Sequence, residues 1–202
     1  MSVRLCIFTR VPRLGRVKSR LADTLGAEVA LYAHCLLAED TLARLAPMPG
    51  VAAELWLDGP PNTVIEAWQA RWELPVRQQS GTDLGARMYG ALLDCLAAET
   101  AGIVVGTDCP SIDAHYVARA TRALDSHDLV LGPAVDGGFG LVGLSRPVAG
   151  LFEGVAWGGA RALADTLANA TRERLRICLL PEIWDVDTAA DWGRWLRERG
   201  DR

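Results

Sequence analysis

The sequence contains no apolar run near the ~20 residues needed to cross a bilayer. Residues 1–8 carry an apolar stretch too short for a signal peptide. These two absences make a soluble, cytoplasmic protein the expectation, with no membrane span. Cysteine is sparse: Cys6, Cys35, Cys95, Cys109 and Cys178 are odd in number, widely spaced and free of any C-x-x-C pair. That pattern indicates neither a disulfide framework nor a zinc site and fits a reducing compartment. Basic excess is also missing, because 21 Lys and Arg face 25 Asp and Glu for a net charge of −4. A nucleic-acid partner is therefore not expected. Neither an internal repeat nor a low-complexity linker interrupts the chain.

What remains is an ordinary globular composition, half of it hydrophobic, over 202 residues. A chain of this length can bury roughly 70% of its unfolded surface, and one domain over 1–202 is the expectation. Short runs at 3–8, 52–57, 75–78, 103–105, 128–131, 139–144 and 175–180 read as strands, the one at 103–105 being wholly β-branched. Helical patterns separate most of them. Leu31, Cys35, Ala38, Leu42 and Leu45 form one such stripe, and Leu84, Met88, Leu92 and Cys95 another. Further helices are expected at 113–124, 160–171 and 189–199, with Asn62 capping a short one before them. The alternation predicts an α/β domain with a mostly parallel central sheet.

The stretch Ile-Val-Val-Gly-Thr-Asp-Cys-Pro at 103–110 reads as a buried strand ending at a carboxylate. Asp108 then sits at a strand carboxyl end, where open α/β sheets bind ligands, or it simply makes a turn or caps a helix. Cys109 beside it reads as a buried thiol, since no His lies near it in sequence. After the first strand, Pro12 and Gly15 break periodicity in a loop carrying Arg10, Arg13, Arg16, Lys18 and Arg20. This is either a solvated basic loop or a phosphate-binding one; it has no Walker A or Rossmann fingerprint. Thr82 or Asp83 can cap the helix containing Leu84 and Gly85. Gly85 costs about 1 kcal/mol there relative to Ala, which hints at close approach to its backbone. Gln78 and the following loop read the edge of a base or sugar, or form a plain strand-to-helix turn that includes Arg87. His34, beside the first helical stripe, reads as an interior or edge histidine. Asp136-Gly137-Gly138 is a hairpin turn or the floor of a pocket, and Trp157 is packing or a pocket wall. Asp185 and Asp187, two apart in an extended segment, project to one side and suit a hard cation such as Mg²⁺ or Mn²⁺. Alternatively Asp187 or Thr188 only caps the last helix.

Taken together, F-T-R-V-P-x-x-G-x-V-K-S-R-L-A, D-L-G-x-R-M, G-T-D-C-P, G-P-A-V-D-G-G-F and W-D-V-D-T occur in order from Phe8 to Asp191. The set resembles the DUF2064 group, the rSAM/selenodomain-associated transferase 1 proteins, which are glycosyltransferase A-like. The K-S-R-L-A piece is similar to 2-phospholactate guanylyltransferase. The resemblance implies a nucleotide-diphospho-sugar transferase fold, a single three-layer α/β/α sandwich. It implies nucleotide contacts from Pro12, Gly15, Lys18, Arg20, Gln78, Asp83, Leu84 and Gly85. It further implies metal ligation of Mg²⁺ or Mn²⁺ by Asp108 and Asp187, and an acceptor side formed by Asp136, Gly137, Gly138 and Trp157. Catalytic roles fall to Asp108, Asp136 and Lys18. The implied activity is metal-dependent transfer of a sugar from a nucleotide diphosphate to a small acceptor. The alternatives are nucleotidyl transfer from an NTP to a phosphorylated acceptor with pyrophosphate release, and nucleotide binding without turnover. The chain departs from the family pattern at Ala86, Phe139, Gly140, Gly158 and Gly159, which removes an acidic group and four hydroxyls.

Overall fold

The computed structural model describes residues 3–98 and 101–200. The chain runs β1 (Val3–Thr9), α1 (Ser19–Leu25), α2 (Ala27–Leu45), β2 (Val51–Leu57), α3 (Thr63–Trp72), β3 (Val76–Gln78) and α4 (Leu84–Ala97). It continues through β4 (Ala101–Gly106), α5 (Ala114–Ala123), β5 (Leu129–Pro133), β6 (Phe139–Leu144), α6 (Ala162–Arg172), β7 (Ile177–Leu179) and α7 (Ala189–Gly200). One seven-stranded sheet has the order β3-β2-β1-β4-β6-β5-β7.

β1 and β4 sit at its centre and are buried on both sides, which is why they read as unbroken apolar runs. Leu5, Ile7, Ile103 and Val105 face a core shared with Leu42 of α2, Ile65 of α3 and Val117 of α5. Their alternates Cys6, Phe8 and Val104 face the other side, against Met88 and Leu92 of α4 and Ala170 of α6. Helices thus cover both faces, as the expected three-layer sandwich requires. A third apolar cluster joins Leu21 of α1, Leu37 of α2 and Trp192 and Trp195 of α7. Among the described residues, no helix is long and apolar enough to cross a membrane.

The expectation of a mostly parallel sheet holds, with β6 as the exception: it is antiparallel to both β4 and β5. The link from Pro133 to Phe139 is too short for a crossover helix, so the chain can only turn back on itself. The Asp136-Gly137-Gly138 turn makes that hairpin, with Asp136 Oδ1 accepting from the Gly138 amide at 2.8 Å. On α2 the buried residues are Ala30, Ala33, His34, Leu37, Ala38, Thr41, Leu42 and Leu45, so Ala38, Leu42 and Leu45 of the expected stripe are buried, whereas Leu31 and Cys35 are only half-buried. Helix caps follow the sequence: Asn62 accepts from the Ile65 amide, Asp83 from Ala86 and Asp113 from Tyr116.

Ile103 is fully buried in the central strand. Truncation in Ile103→Ala should cost about 2–5 kcal/mol, seen as a lower urea midpoint at unchanged m-value.

Candidate active site

At the carboxyl ends of the sheet's inner strands lies a cleft of about 720 Å³. Its cationic wall comes from the loop between β1 and α1. That loop is tied down at several points. The Val11 amide donates to Asp58 Oδ1 at 2.8 Å, Asn62 Nδ2 to the Pro12 carbonyl at 2.7 Å, and Arg13 to the Pro60 carbonyl at 3.3 Å. His34 Nε2 lies 3.0 Å from the Arg10 carbonyl, and because a carbonyl only accepts, that nitrogen carries the proton. Burial lowers the His34 pKa, so the ring stays neutral while it holds the loop.

The loop ends at Lys18, which adopts the left-handed conformation (φ 48°, ψ 52°) before α1. A lysine there costs about 1–2 kcal/mol of backbone energy. In return its side chain turns inward until only 7% is exposed, with Nζ 3.5 Å from Asp108 Oδ2 and 3.3 Å from Asp187 Oδ1. Arg20 meets the other Asp187 oxygen at 3.2 Å from the solvent side. Burial works against both charges, but the carboxylates hold Lys18 above its usual pKa, and Lys18 holds Asp108 below its own.

Asp108 follows β4, and its backbone carbonyl accepts from the Val186 amide at 2.9 Å. That bond fixes the Trp184–Thr188 segment beside the strand end and places Asp185 and Asp187 on either side of the anchored residue. Asp185 is half-buried; burial first, then the charges of Asp108, Asp187 and Asp136, push its pKa up to about 6. Asp187 does not cap α7. Thr188 and Asp191 close that end instead, with Asp191 Oδ2 accepting from the Thr188 amide and hydroxyl. Burial and the neighbouring Asp108 raise the Cys109 thiol well above its usual pKa, which rules it out as a ready nucleophile.

The expected site residues divide clearly. Lys18, Arg20, Asp83, Leu84, Asp108 and Asp187 line the cleft. Leu84 is 46% exposed, so it faces the cleft rather than the apolar stripe of α4. Pro12 is buried, and Gly15 is exposed; neither lines the cleft. Gln78 is exposed and points elsewhere; Gln79, one residue on, lines the cleft, because neighbouring strand residues face opposite ways. Gly85 is approached by Trp157, whose Cζ2 would lie 2.6 Å from an added Cβ, so its close neighbour is protein. Asp136, Gly137 and Gly138 form the hairpin tip outside the cleft lining, and Trp157 packs edge-on against Phe139 and Phe152 behind it.

The sequence profile of DUF2064, described as an uncharacterized protein conserved in bacteria, matches residues 41–159. The chain belongs to the DUF2064 family. No curated protein sequence matches it. A solved structure from Desulfovibrio desulfuricans, provisionally named a nucleotide-diphospho-sugar transferase, is 28% identical, with a TM-score of 0.88 over 98% of this chain and 87% of that one. CMP:2-keto-3-deoxy-manno-octonic acid synthetase in complex with CTP has a TM-score of 0.63 at 12% identity, covering 100% of this chain and 99% of that one. Rv0371c of Mycobacterium tuberculosis, in complex with manganese, has 0.59 at 16%, covering 98% and 99%. The last two likenesses establish the fold.

Within this DUF2064 chain Lys18 is the only lysine among 21 Lys and Arg residues. The family departures also acquire a physical setting. At Gly140 an added Cβ would lie 2.6 Å from Cys109 Sγ and 2.7 Å from Ile183 Cδ1, so those side chains occupy the space. Phe139 belongs to the aromatic cluster with Phe152 and Trp157. A Cβ added at Gly158 would meet nothing within 4 Å, so no neighbouring side chain fills the space there.

The raised Asp185 pKa gives a signed expectation. The folded chain holds this proton between roughly pH 4 and pH 6, where the unfolded chain has released it. Its contribution to stability is therefore lost as pH rises through that window. In metal-free protein, Asp185→Asn should raise Tm at pH 7.5 and flatten the wild-type decline between pH 4 and pH 6. Superimposed Tm–pH curves for the two proteins would show that Asp185 ionises normally.

Proposed function

We propose that this DUF2064 chain, read as one glycosyltransferase A-like domain over 1–202, is a metal-dependent transferase acting on a nucleotide donor. The preferred reaction moves a sugar from a nucleotide diphosphate to a small acceptor. The observation that carries this reading is the meeting of Lys18, Arg20, Asp108 and Asp187 at one cleft, from loops far apart in sequence.

The acidic residues fit a hard divalent cation in kind, since they offer only carboxylate oxygens. Among the described residues, no group of three or more His, Cys, Asp or Glu stands ready as a metal cluster. The Lys18 ammonium instead lies between Asp108 and Asp187. On this reading Asp108 and Asp187, with Asp185 beside them, would hold Mg²⁺ or Mn²⁺ once Lys18 turns towards the donor phosphates. Bound there, the ion would neutralise charge developing on the leaving diphosphate. Lys18 and Arg20 add fixed positive charge from the loop side, where it stabilises the same leaving group. Asp136, at the hairpin tip outside the cleft lining, would orient an acceptor hydroxyl on this reading.

Nucleotidyl transfer is the second reading, favoured by the shared fold with a synthetase that binds CTP. There the same cations would face a triphosphate, and pyrophosphate would leave. Binding without turnover is the third, favoured by the hydroxyls absent at Phe139, Gly140, Gly158 and Gly159.

A thermal-shift panel of NTPs and nucleotide-diphosphate sugars, with and without Mg²⁺ or Mn²⁺, tests the proposal, because selective binding to the native state raises Tm. A metal-dependent shift is expected with one donor class, and pyrophosphate release with an NTP separates nucleotidyl from glycosyl transfer. Asp108→Ala should abolish the metal-dependent part. If that variant retains the full shift, the metal role assigned to Asp108 is wrong.

A further inference from the structure

Past β2 and β3 the chain brings two residues with acceptor groups to neighbouring strand ends. The parallel register pairs Leu57 with Gln78, and the Gln79 amide donates to the Leu57 carbonyl at 2.8 Å. Asp58 and Gln79 are thus the first residues beyond two adjacent strand ends, and both line the cleft. Gln79 Nε2 lies 2.9 Å from the Trp56 carbonyl and 3.4 Å from the Thr9 carbonyl. Carbonyls only accept, so the NH₂ end of the amide is turned to the sheet and its oxygen remains for a ligand. Asp58 uses Oδ1 to hold the Val11 amide, which leaves Oδ2. The cleft also contains Arg10 and Arg87, whose guanidiniums supply donors.

We propose that Asp58 and Gln79 read the base of the nucleotide donor, and that this base is guanine. The proposal rests on the transferase reading above for its nucleotide. Its chemical content is separate. Two neighbouring acceptors call for two neighbouring donors. Guanine alone among the common bases offers them, as the ring N1–H and the exocyclic 2-amino group. Its O6 and N7 are acceptors that suit an arginine. Uracil presents one N–H flanked by two carbonyl oxygens, so a second acceptor would face an oxygen. Adenine and cytosine each present one amino group beside a bare ring nitrogen.

The test is calorimetric binding of GDP, IDP, XDP, ADP, CDP and UDP with Mg²⁺ present, to the wild-type chain and to Asp58→Asn. Asparagine can keep its oxygen on the Val11 amide, so the loop anchor survives and an unchanged Tm verifies it. The wild type should bind GDP tightest. IDP, lacking the 2-amino group, should be weaker by roughly tenfold to a hundredfold. In the variant an NH₂ replaces the acceptor, so XDP, with an oxygen at position 2, should overtake GDP. Equal binding of all six, or a preference for UDP, would overturn the base assignment and leave the transferase reading standing. A variant that weakens every nucleotide alike, with no gain for XDP, would remove Asp58 from base reading. Failure of every nucleotide to bind the wild type would overturn both readings.

Discussion

An ammonium held between two carboxylates organises this end of the molecule. Lys18 meets Asp108 and Asp187 across sequence separations of 90 and 169 residues. At about 4 Å, and an effective dielectric constant near 20, one such attraction is worth roughly 4 kcal/mol before desolvation is subtracted. Most of that is offset by burying the lysine, so the gain in stability is modest. The gain in position is larger. A buried ammonium cannot leave its partners without stranding a charge. The β1–α1 loop, the end of β4 and the segment before α7 are therefore held to one point.

The electrostatics of that point are unbalanced. Asp108, Asp185 and Asp187 face Lys18 and Arg20, which leaves one net negative charge; burial first, and then the neighbouring carboxylates, make Asp185 hold its proton to about pH 6. A polyphosphate approaching this arrangement unaided would meet repulsion. A divalent ion arriving with it reverses the local sign, and freeing Lys18 from its aspartates gives the phosphates a further cation. On the proposed reading, ion and nucleotide thus reinforce one another, and the lysine serves as a resident counter-ion until they arrive.

Much of this was legible in the sequence, for identifiable reasons. β1 and β4 are buried on both faces, so their apolar runs announce them without any periodicity. Asn62 and Asp83 act as caps because their side chains reach an amide three residues on, a purely local property. Asp108 and Asp187 were legible because strand ends and paired acidic residues have short-range signatures. What escaped depended on direction. Gln78 and Gln79 differ by one residue in an extended chain and so face opposite ways. Leu84 fits the apolar pattern of α4 yet lies in its first turn, where the helix emerges into the cleft. Asp58 gave no signal, because its part in anchoring Val11 is a contact between segments 47 residues apart. Lys18 carried one signal that composition alone could supply, as the single lysine of an arginine-rich chain.

The departures at the β5–β6 hairpin show how a fold tolerates the loss of polar groups. Removing hydroxyls from a wall can leave a void, in which case the surrounding atoms lose contacts and stability falls. At Gly140 the outcome is different, since Cys109 and Ile183 take up the room. Phe139 likewise stacks with Phe152 and meets Trp157 edge-on, so its ring is supported without a hydroxyl partner. These exchanges are coupled: a larger residue at 140 would collide with the thiol that immediately follows Asp108. The packing behind the carboxylates and the chemistry of the hairpin are therefore one constraint. Restoring tyrosine at position 140 alone would press on Cys109, and through it on the turn that aims Asp108 at Lys18.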